Sequence, residues 1–294
     1  MIACDLGSNT LRIVELDCET GHRINEFERM VKTADGLHKT GMINEMAVER
    51  IIVAILEAKK IFDLSKAHAV TTAAVRLAKN GKEVLARIKE ETDLDFIMIE
   101  ASVEAQLTLA AVEWRLEKLG FDDSFMLMDL GGGSTEITCG ENAQSFDVGI
   151  VTVAQKYGSV KGVKENLDEA LSPLFRYIKT FQKPRLFVAT AGTPTTIAAF
   201  TKGLDYANYD VHKVNGTVLS LQELDDALEK LLAMSSQERE RWVGVGRDDL
   251  IVAGVLMVKA IMVAAGFSTM LVVDDGLREG VALTKCQEML DFSA

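Results

Sequence analysis

Two stretches decide the fold: Asp5-Leu6-Gly7-Ser8-Asn9-Thr10 near the start, and Asp129-Leu130-Gly131-Gly132-Gly133-Ser134-Thr135 in the middle. Each follows an apolar run, residues 1–5 and 125–129, and each leads into a second run of strand character, residues 11–17 and 136–139. The two aspartates stand 124 residues apart, far beyond the roughly 20–50-residue period of a solenoid. The spacing reads as two similar domains from a duplication, each opening β-β-β-α-β-α.

Working outward from the first stretch, residues 23–30 form a third strand after a turn at Thr20-Gly21. Asn44 is placed to cap a helix running to about Phe62, with Val48, Ile51, Ile52, Ile55 and Leu56 at helical spacing. A strand at 69–72, a helix at 81–91, a strand at 95–99 and a helix from Ser102 to about Leu119 follow. Gly120 ends that helix, and the polar joint 121–124 sets the expected domain boundary.

After the second stretch the reading gives a third strand at 143–148, a helix at 164–181, a strand at 186–191 and a helix start at 193–200. Val214-Asn215-Gly216-Thr217 reads as a hairpin turn, because Asn-Gly readily takes positive φ. Helices at 221–234, 237–242 and 248–265, a strand at 269–273 and a final helix from Leu277 complete the chain. The expected division is 1–120 together with 277–294, and 121–276.

Composition narrows the function. The chain has 294 residues, 48% hydrophobic and 26% charged, with three prolines, which is globular and not a Pro-rich linker. Lys and Arg total 32 against 44 Asp and Glu, for a net charge of −12. Duplex nucleic acid and anionic membranes are recognised through phosphate neutralisation by basic side chains, so neither is an expected partner. The longest apolar stretch, 250–267, is interrupted by Lys259, Gly254 and Gly266, and reads as a core helix. Cys4, Cys18, Cys139 and Cys286 form no C-x-x-C pair and have no histidine at ligand spacing. That argues against a zinc site or a disulfide framework and sets cytoplasmic as the expected location.

The two Gly-rich turns carry the chemistry. A strand-turn-strand with Gly and Ser/Thr at its tip exposes backbone N–H groups that suit phosphate oxygens. One such turn alone would read as a tight bend; two matched ones favour phosphate. Asp129 and Glu136 beside the second turn become useful near phosphate if they hold Mg²⁺, which favours carboxylates, water and phosphate oxygens. Ala191-Gly192-Thr193-Pro194-Thr195 sits between a strand and a helix, where a helix N-terminus attracts anions or simply begins a helix. Thr72-Ala73-Ala74-Val75-Arg76 places an Arg just past a strand end, and Val103-Glu104-Ala105-Gln106 places a carboxylate in a first helical turn. Taken singly, these read as a solvated Arg and a helix-dipole partner. No P-loop and no dinucleotide-binding glycine motif occurs, and the four histidines have no Ser or Cys partner for a hydrolytic triad.

Taken together, these pieces resemble the Ppx/GppA phosphatase family, exopolyphosphatases and guanosine pentaphosphate phosphohydrolases within the actin–Hsp70–sugar kinase superfamily. The matching segments are Asp5 to Thr10, Thr72 to Arg76, Glu104-Ala105, Asp129 to Glu136, Ala191 to Thr193, and Asp275-Gly276-Leu277-Arg278-Glu279-Gly280, in family order. The resemblance implies two actin-like (ribonuclease H-like) α/β domains with an interdomain cleft. It implies Glu104 as the base that deprotonates a water, Arg76 as a phosphate-binding Arg, and Asp129 and Glu136 as acidic catalytic residues linked to Mg²⁺, with Asp5 a further metal ligand. Ser8, Asn9, Thr10, Gly131, Gly132, Gly133, Ser134, Thr135, Gly192 and Thr193 would cradle phosphates.

The expected reaction is Mg²⁺-dependent hydrolysis of a terminal phosphoanhydride, with polyphosphate first and pppGpp (guanosine pentaphosphate) second, in a homodimer. The chain departs from the family at Val103 and Gln106, where Glu and Arg are usual, and lacks the C-terminal HD-like domains of longer members. A non-catalytic polyphosphate or alarmone sensor and an ATP-dependent kinase are the alternatives.

Overall fold

The computed structural model describes residues 1–291 and divides into two compact units, Met1–Ala111 with the residues from Asp275 onward, and Val112–Asp274.

The first unit is built on a five-stranded sheet ordered β3-β2-β1-β4-β5. Its strands are β1 (Ile2–Leu6), β2 (Thr10–Leu16), β3 (Arg23–Met30), β4 (Ala67–Thr71) and β5 (Phe96–Met98). β1, β2 and β3 are antiparallel neighbours, while β1, β4 and β5 run parallel. The helices are α1 (Leu37–Thr40), α2 (Glu45–Ala58), α3 (Ala73–Leu77), α4 (Gly81–Thr92) and α5 (Ala101–Leu119).

Side chains alternate across a strand, and β1 is buried on both faces. Ile2, Cys4 and Leu6 join Leu11, Ile13, Ile51, Ile55 and Ile88 in one core, and Ala3 joins Val14, Leu16 and Val70 in another. Asn44 caps α2 as its sequence suggests, its side chain accepting from the Ala47 amide.

The second unit repeats this path. Its six-stranded sheet is ordered β10-β11-β9-β6-β7-β8. The strands are β6 (Phe125–Leu130), β7 (Thr135–Cys139), β8 (Asn142–Phe146), β9 (Leu186–Thr190), β10 (Thr217–Ser220) and β11 (Thr269–Val272). Between them lie α6 (Ile150–Tyr157), α7 (Val160–Ala170), α8 (Ser172–Ile178), α9 (Gly192–Thr201), α10 (Val211–Val214), α11 (Leu221–Ala233), α12 (Ser236–Val243) and α13 (Asp248–Ala264). β6, β7 and β8 are antiparallel, and β6, β9 and β11 parallel, so β8-β7-β6-β9-β11 matches β3-β2-β1-β4-β5. Both units therefore have the actin-like sheet, with the Gly-rich turns joining equivalent strand pairs. The last helix, α14 (Leu277–Asp291), packs Leu277, Val281 and Ala282 on Ala3, Val14 and Leu16 of the first unit.

Several expectations need correction. The division falls at Ala111/Val112 inside α5, not at Gly120, because the helix runs unbroken from one unit into the other. The helix expected at 164–181 is two, separated at Leu171 where Pro173 occupies the first turn of α8. α6 had no sequence signal, since Ile150-Val151-Thr152-Val153 is β-branched; its start is fixed by the Gly149 amide donating to Thr152 Oγ1 at 2.8 Å. Asn215-Gly216 is not a hairpin turn. Gly216 does take φ +80°, but it links α10 to β10, and β10 pairs with β11. The apolar stretch at 250–267 is mostly α13, whose buried face packs in the core of the second unit. No helix of the described residues is long and apolar enough to cross a membrane.

The cysteine reading also fails in part. Cys18 and Cys286 form a disulfide with Cα atoms 5.1 Å apart, at a sequence separation of 268. Motif spacing cannot reveal such a pair; the packing of α14 beside the β2–β3 turn creates it.

Candidate functional site

In the first unit, residues 7–10 close the β1–β2 connection, and the Gly7 amide donates to the Thr10 carbonyl at 3.0 Å. The segment after β3 braces this turn. The amides of Val31 and Lys32 both donate to the Asn9 carbonyl at 2.9 Å, and that of Ala34 donates to the Ser8 carbonyl at 2.8 Å. Among the described residues no backbone carbonyl accepts from the amides of Ser8 or Asn9. The turn thus has its carbonyls engaged and donors left over, the arrangement that suits an anion.

Beside it, the buried Thr71 hydroxyl donates to the Leu6 carbonyl at 2.8 Å, tying the end of β4 to the residue before the turn. The Ile99 amide donates to the Thr71 carbonyl at 3.0 Å. Arg76, on α3, donates from Nη1 to the Ile99 carbonyl at 2.8 Å and lies 3.5 Å from Glu104 Oε2. Glu104 sits in the first turn of α5 and is only 8% exposed. Turn, Arg and carboxylate are therefore linked by one chain of contacts within a single unit. Val103 and Gln106, by contrast, are exposed.

Asp5 belongs to the α14-facing side of the sheet. Its cross-strand partner is Arg12, whose Nε lies 2.9 Å from Glu28 Oε2.

The second unit uses the same four-residue plan. Residues 131–134 join β6 to β7, and the Gly131 amide donates to the Ser134 carbonyl at 3.0 Å. Here α6 does the bracing: the amides of Ile150 and Val151 donate to the carbonyls of Gly131 (3.0 Å) and Gly132 (2.8 Å). Gly149 lets this happen, because a methyl there would lie 2.5 Å from the Gly132 backbone. Thr135 Oγ1 donates to the Val148 carbonyl at 2.5 Å. Among the described residues no backbone carbonyl accepts from the amides of Gly132, Gly133 or Ser134.

Asp129 and Glu136 are directly opposed on β6 and β7, so both carboxylates leave the same face of the sheet. Thr190 lies opposite Asp129 on β9, and Ser145 lies opposite Glu136 on β8. Ser145 Oγ donates to Glu136 Oε1 at 2.6 Å. Among the described residues no group of three or more His, Cys, Asp or Glu side chains could hold a metal by itself. Mg²⁺ does not need one: it is commonly held by one or two carboxylates with water and substrate phosphates. The Asp129–Glu136 pair fits that mode.

Gly192 and Thr193 open α9. Thr193 is buried, and its hydroxyl faces α13 so closely that a methyl on Gly254 would lie 2.2 Å from it. Ala191 precedes α9 with φ +75°, a left-handed conformation that costs a non-glycine residue about 1–3 kcal/mol. Sequence reasoning missed Thr71, Ser145, Gly149 and Arg12. Strand register would have exposed Ser145 and Arg12; Thr71 and Gly149 are found by tertiary contact alone.

Residues 13–289 match the Ppx/GppA phosphatase family. An exopolyphosphatase 1 of Mycobacterium leprae is 28% identical over 99% of this chain and 90% of its own length. A crystal structure of the Aquifex aeolicus Ppx/GppA family member is 27% identical, with a TM-score of 0.76 over 98% of this chain and 97% of that one. An exopolyphosphatase structure from Cytophaga hutchinsonii is 25% identical, with a TM-score of 0.84 over 98% and 97%. A family match across nearly the whole sequence joins a fold and two phosphate-suited turns already evident from the residues, and the chain belongs to the Ppx/GppA phosphatase family.

Proposed function

We propose that this protein hydrolyses the terminal phosphoanhydride of inorganic polyphosphate in the presence of Mg²⁺. The observation that carries the reading is the buried Glu104 carboxylate paired with Arg76 at 3.5 Å, one contact chain away from the donor-rich turn at Ser8-Asn9.

In this reading Glu104 accepts a proton from the attacking water, which strengthens the water as a nucleophile toward the terminal phosphorus. Arg76 holds a phosphate oxygen and steadies charge in the transition state. Within the first unit the amides of Ser8 and Asn9 hold further phosphate oxygens; in the second unit the amides of Gly132, Gly133 and Ser134 are suited to the same task. Phosphoryl transfer depends mainly on such positioning and charge stabilisation. Asp129 and Glu136 would hold Mg²⁺, which when bound neutralises phosphate charge.

Polyphosphate is preferred because exopolyphosphatases recur among the relatives; pppGpp presents the same terminal anhydride and is the companion substrate to assay. The exposure of Val103 and Gln106 supports an enzyme over a sensor, since neither change enters the buried surroundings of Glu104. The test is phosphate release from polyphosphate and from pppGpp, side by side, with and without Mg²⁺, in the parent and Glu104→Gln. Release that vanishes in the variant supports the reading. Binding without release in the parent replaces it with the sensor.

A further inference from the structure

α14 is fastened to the first unit in two ways. Near its start, Glu279 Oε1 lies 3.1 Å from Arg23 Nη2, and Arg278 Nη2 lies 3.5 Å from Glu26 Oε2, so two residues of β3 grip the first helical turn. Farther along, Cys286 is the last buried residue of the helix; residues 287–291 are exposed. Here Cys286 is bonded to Cys18, in the turn between β2 and β3, and Leu283 just before it packs on the same sheet. Cys18 is half-buried whereas Cys286 is buried, so Cys18 is the less enclosed residue of the pair.

The same helix touches the candidate catalytic elements. It packs on β2, whose first residue, Thr10, closes the phosphate turn. Gly280 meets α5 so closely that a methyl there would lie 2.0 Å from the Leu107 carbonyl oxygen, one turn beyond Glu104.

We propose that Cys18–Cys286 is a reversible redox site for a dithiol reductant, and that opening it loosens α14 and slows the hydrolysis assigned to Glu104, a link that rests on the function proposed above. A thiolate of the reductant attacks Cys18 Sγ and forms a mixed disulfide, while Cys286 leaves as a thiolate and takes up a proton. The second thiolate of the reductant then attacks its own sulfur in the mixed disulfide and releases Cys18. Two electrons pass to the protein and the reductant ends as a disulfide. The remaining cysteines do not compete. Burial, with the neighbouring Asp5 charge, pushes the Cys4 thiol up to about 12, and burial raises Cys139 as well. Both stay protonated at neutral pH, and the thiolate is the attacking species.

The test uses the full chain. In denaturant, protein kept from reductant should show the two thiols of Cys4 and Cys139, and four after native treatment with dithiothreitol. On reduction, amide hydrogen exchange across residues 283–291 should accelerate and kcat on polyphosphate should fall about tenfold, both reversed by oxidised glutathione. Cys18→Ser and Cys286→Ser should each hold the reduced behaviour and ignore dithiothreitol. Four thiols that oxidised glutathione does not convert, a pair that resists native reduction, or reduction without change in α14 exchange would each overturn the proposal. So would unchanged kcat on reduction in a protein that Glu104→Gln inactivates. If Glu104→Gln is as active as the parent, the assigned base falls instead, and α14 exchange alone decides the redox site.

Discussion

Glu104 Oε2 lies 3.5 Å from Arg76 Nη1, and that same nitrogen donates to the Ile99 carbonyl at 2.8 Å. Arg76 is therefore held by backbone on one side and by the candidate base on the other. Replacing Glu104 with Gln keeps the volume and removes the proton acceptor. We expect kcat to fall by about 10²–10⁴-fold with thermal unfolding little changed. Arg76→Lys keeps the charge but loses the guanidinium fork, so it should raise KM for polyphosphate as well as lower kcat. Steady-state kinetics on the two variants separates these roles; a Glu104→Gln enzyme with parental kcat removes the base.

Ser145 reaches Glu136 across the β7–β8 ladder at 2.6 Å. A carboxylate oriented by a neighbouring hydroxyl is a better-placed cation ligand, and loss of such a partner commonly weakens metal affinity by about 10- to 100-fold. Ser145→Ala should therefore raise the Mg²⁺ concentration for half-maximal phosphate release while leaving the saturated rate close to the parent. Chelation by EDTA should abolish release, and added Mg²⁺ should restore it. An unchanged Mg²⁺ curve in Ser145→Ala would detach Glu136 from the metal.

What the sequence reveals is what lies close along the chain. The turns at Gly7 and Gly131 are legible because Asp-Leu-Gly, the flanking apolar runs and the small polar residues are consecutive, and the two sheets repeat around them. The Asn44 cap is legible for the same reason. The division inside α5 is not, because a continuous helix carries no composition break at Ala111. The Ser145–Glu136 contact depends on register, and Thr71 to Leu6 spans 65 residues, so neither leaves a local pattern. The Cys18–Cys286 bond is the extreme case, since its partners come together only when α14 returns to the first sheet. α6 failed for another reason: its β-branched start opposes helix propensity, and hydrogen bonds to the Gly131 and Gly132 carbonyls override it.

That bracing of the second turn predicts an effect of Gly149→Ala. The added methyl would lie 2.5 Å from the Gly132 carbonyl carbon and oxygen and 2.7 Å from the Gly133 carbonyl carbon. These are backbone atoms, so the strain cannot be relieved by moving a side chain. Either residues 131–133 shift or the start of α6 withdraws. We expect destabilisation of about 1–3 kcal/mol and a loss of activity larger than that stability change explains, measured as kcat at a temperature where the variant is fully folded. Gly7→Ala is the control, since a methyl there meets the Thr10 carbonyl oxygen at an ordinary 3.5 Å.

Glu279 makes the fold sensitive to acid. Its burial opposes ionisation, yet the guanidinium groups of Arg278 and Arg23, with the Gly276 amide donating to Oε2 at 3.0 Å, hold the carboxyl below its ordinary value of 4.5. A carboxylate whose folded-state pKa lies below the unfolded one contributes stability that is fully present above the unfolded value. That contribution is lost as pH falls through the folded pKa. Acidification below about pH 4.5 should therefore weaken the first unit, with the grip of β3 on α14 among the contacts released. Glu279→Gln removes one of the carboxylates facing Arg23 and Arg278, which keep Asp275 and Glu26 as partners, so it should cost about 1–3 kcal/mol at neutral pH. The same variant should show a shallower fall in stability on the acid side. Urea unfolding of parent and variant across that pH range measures both effects, and parallel curves would assign the acid sensitivity to other carboxylates.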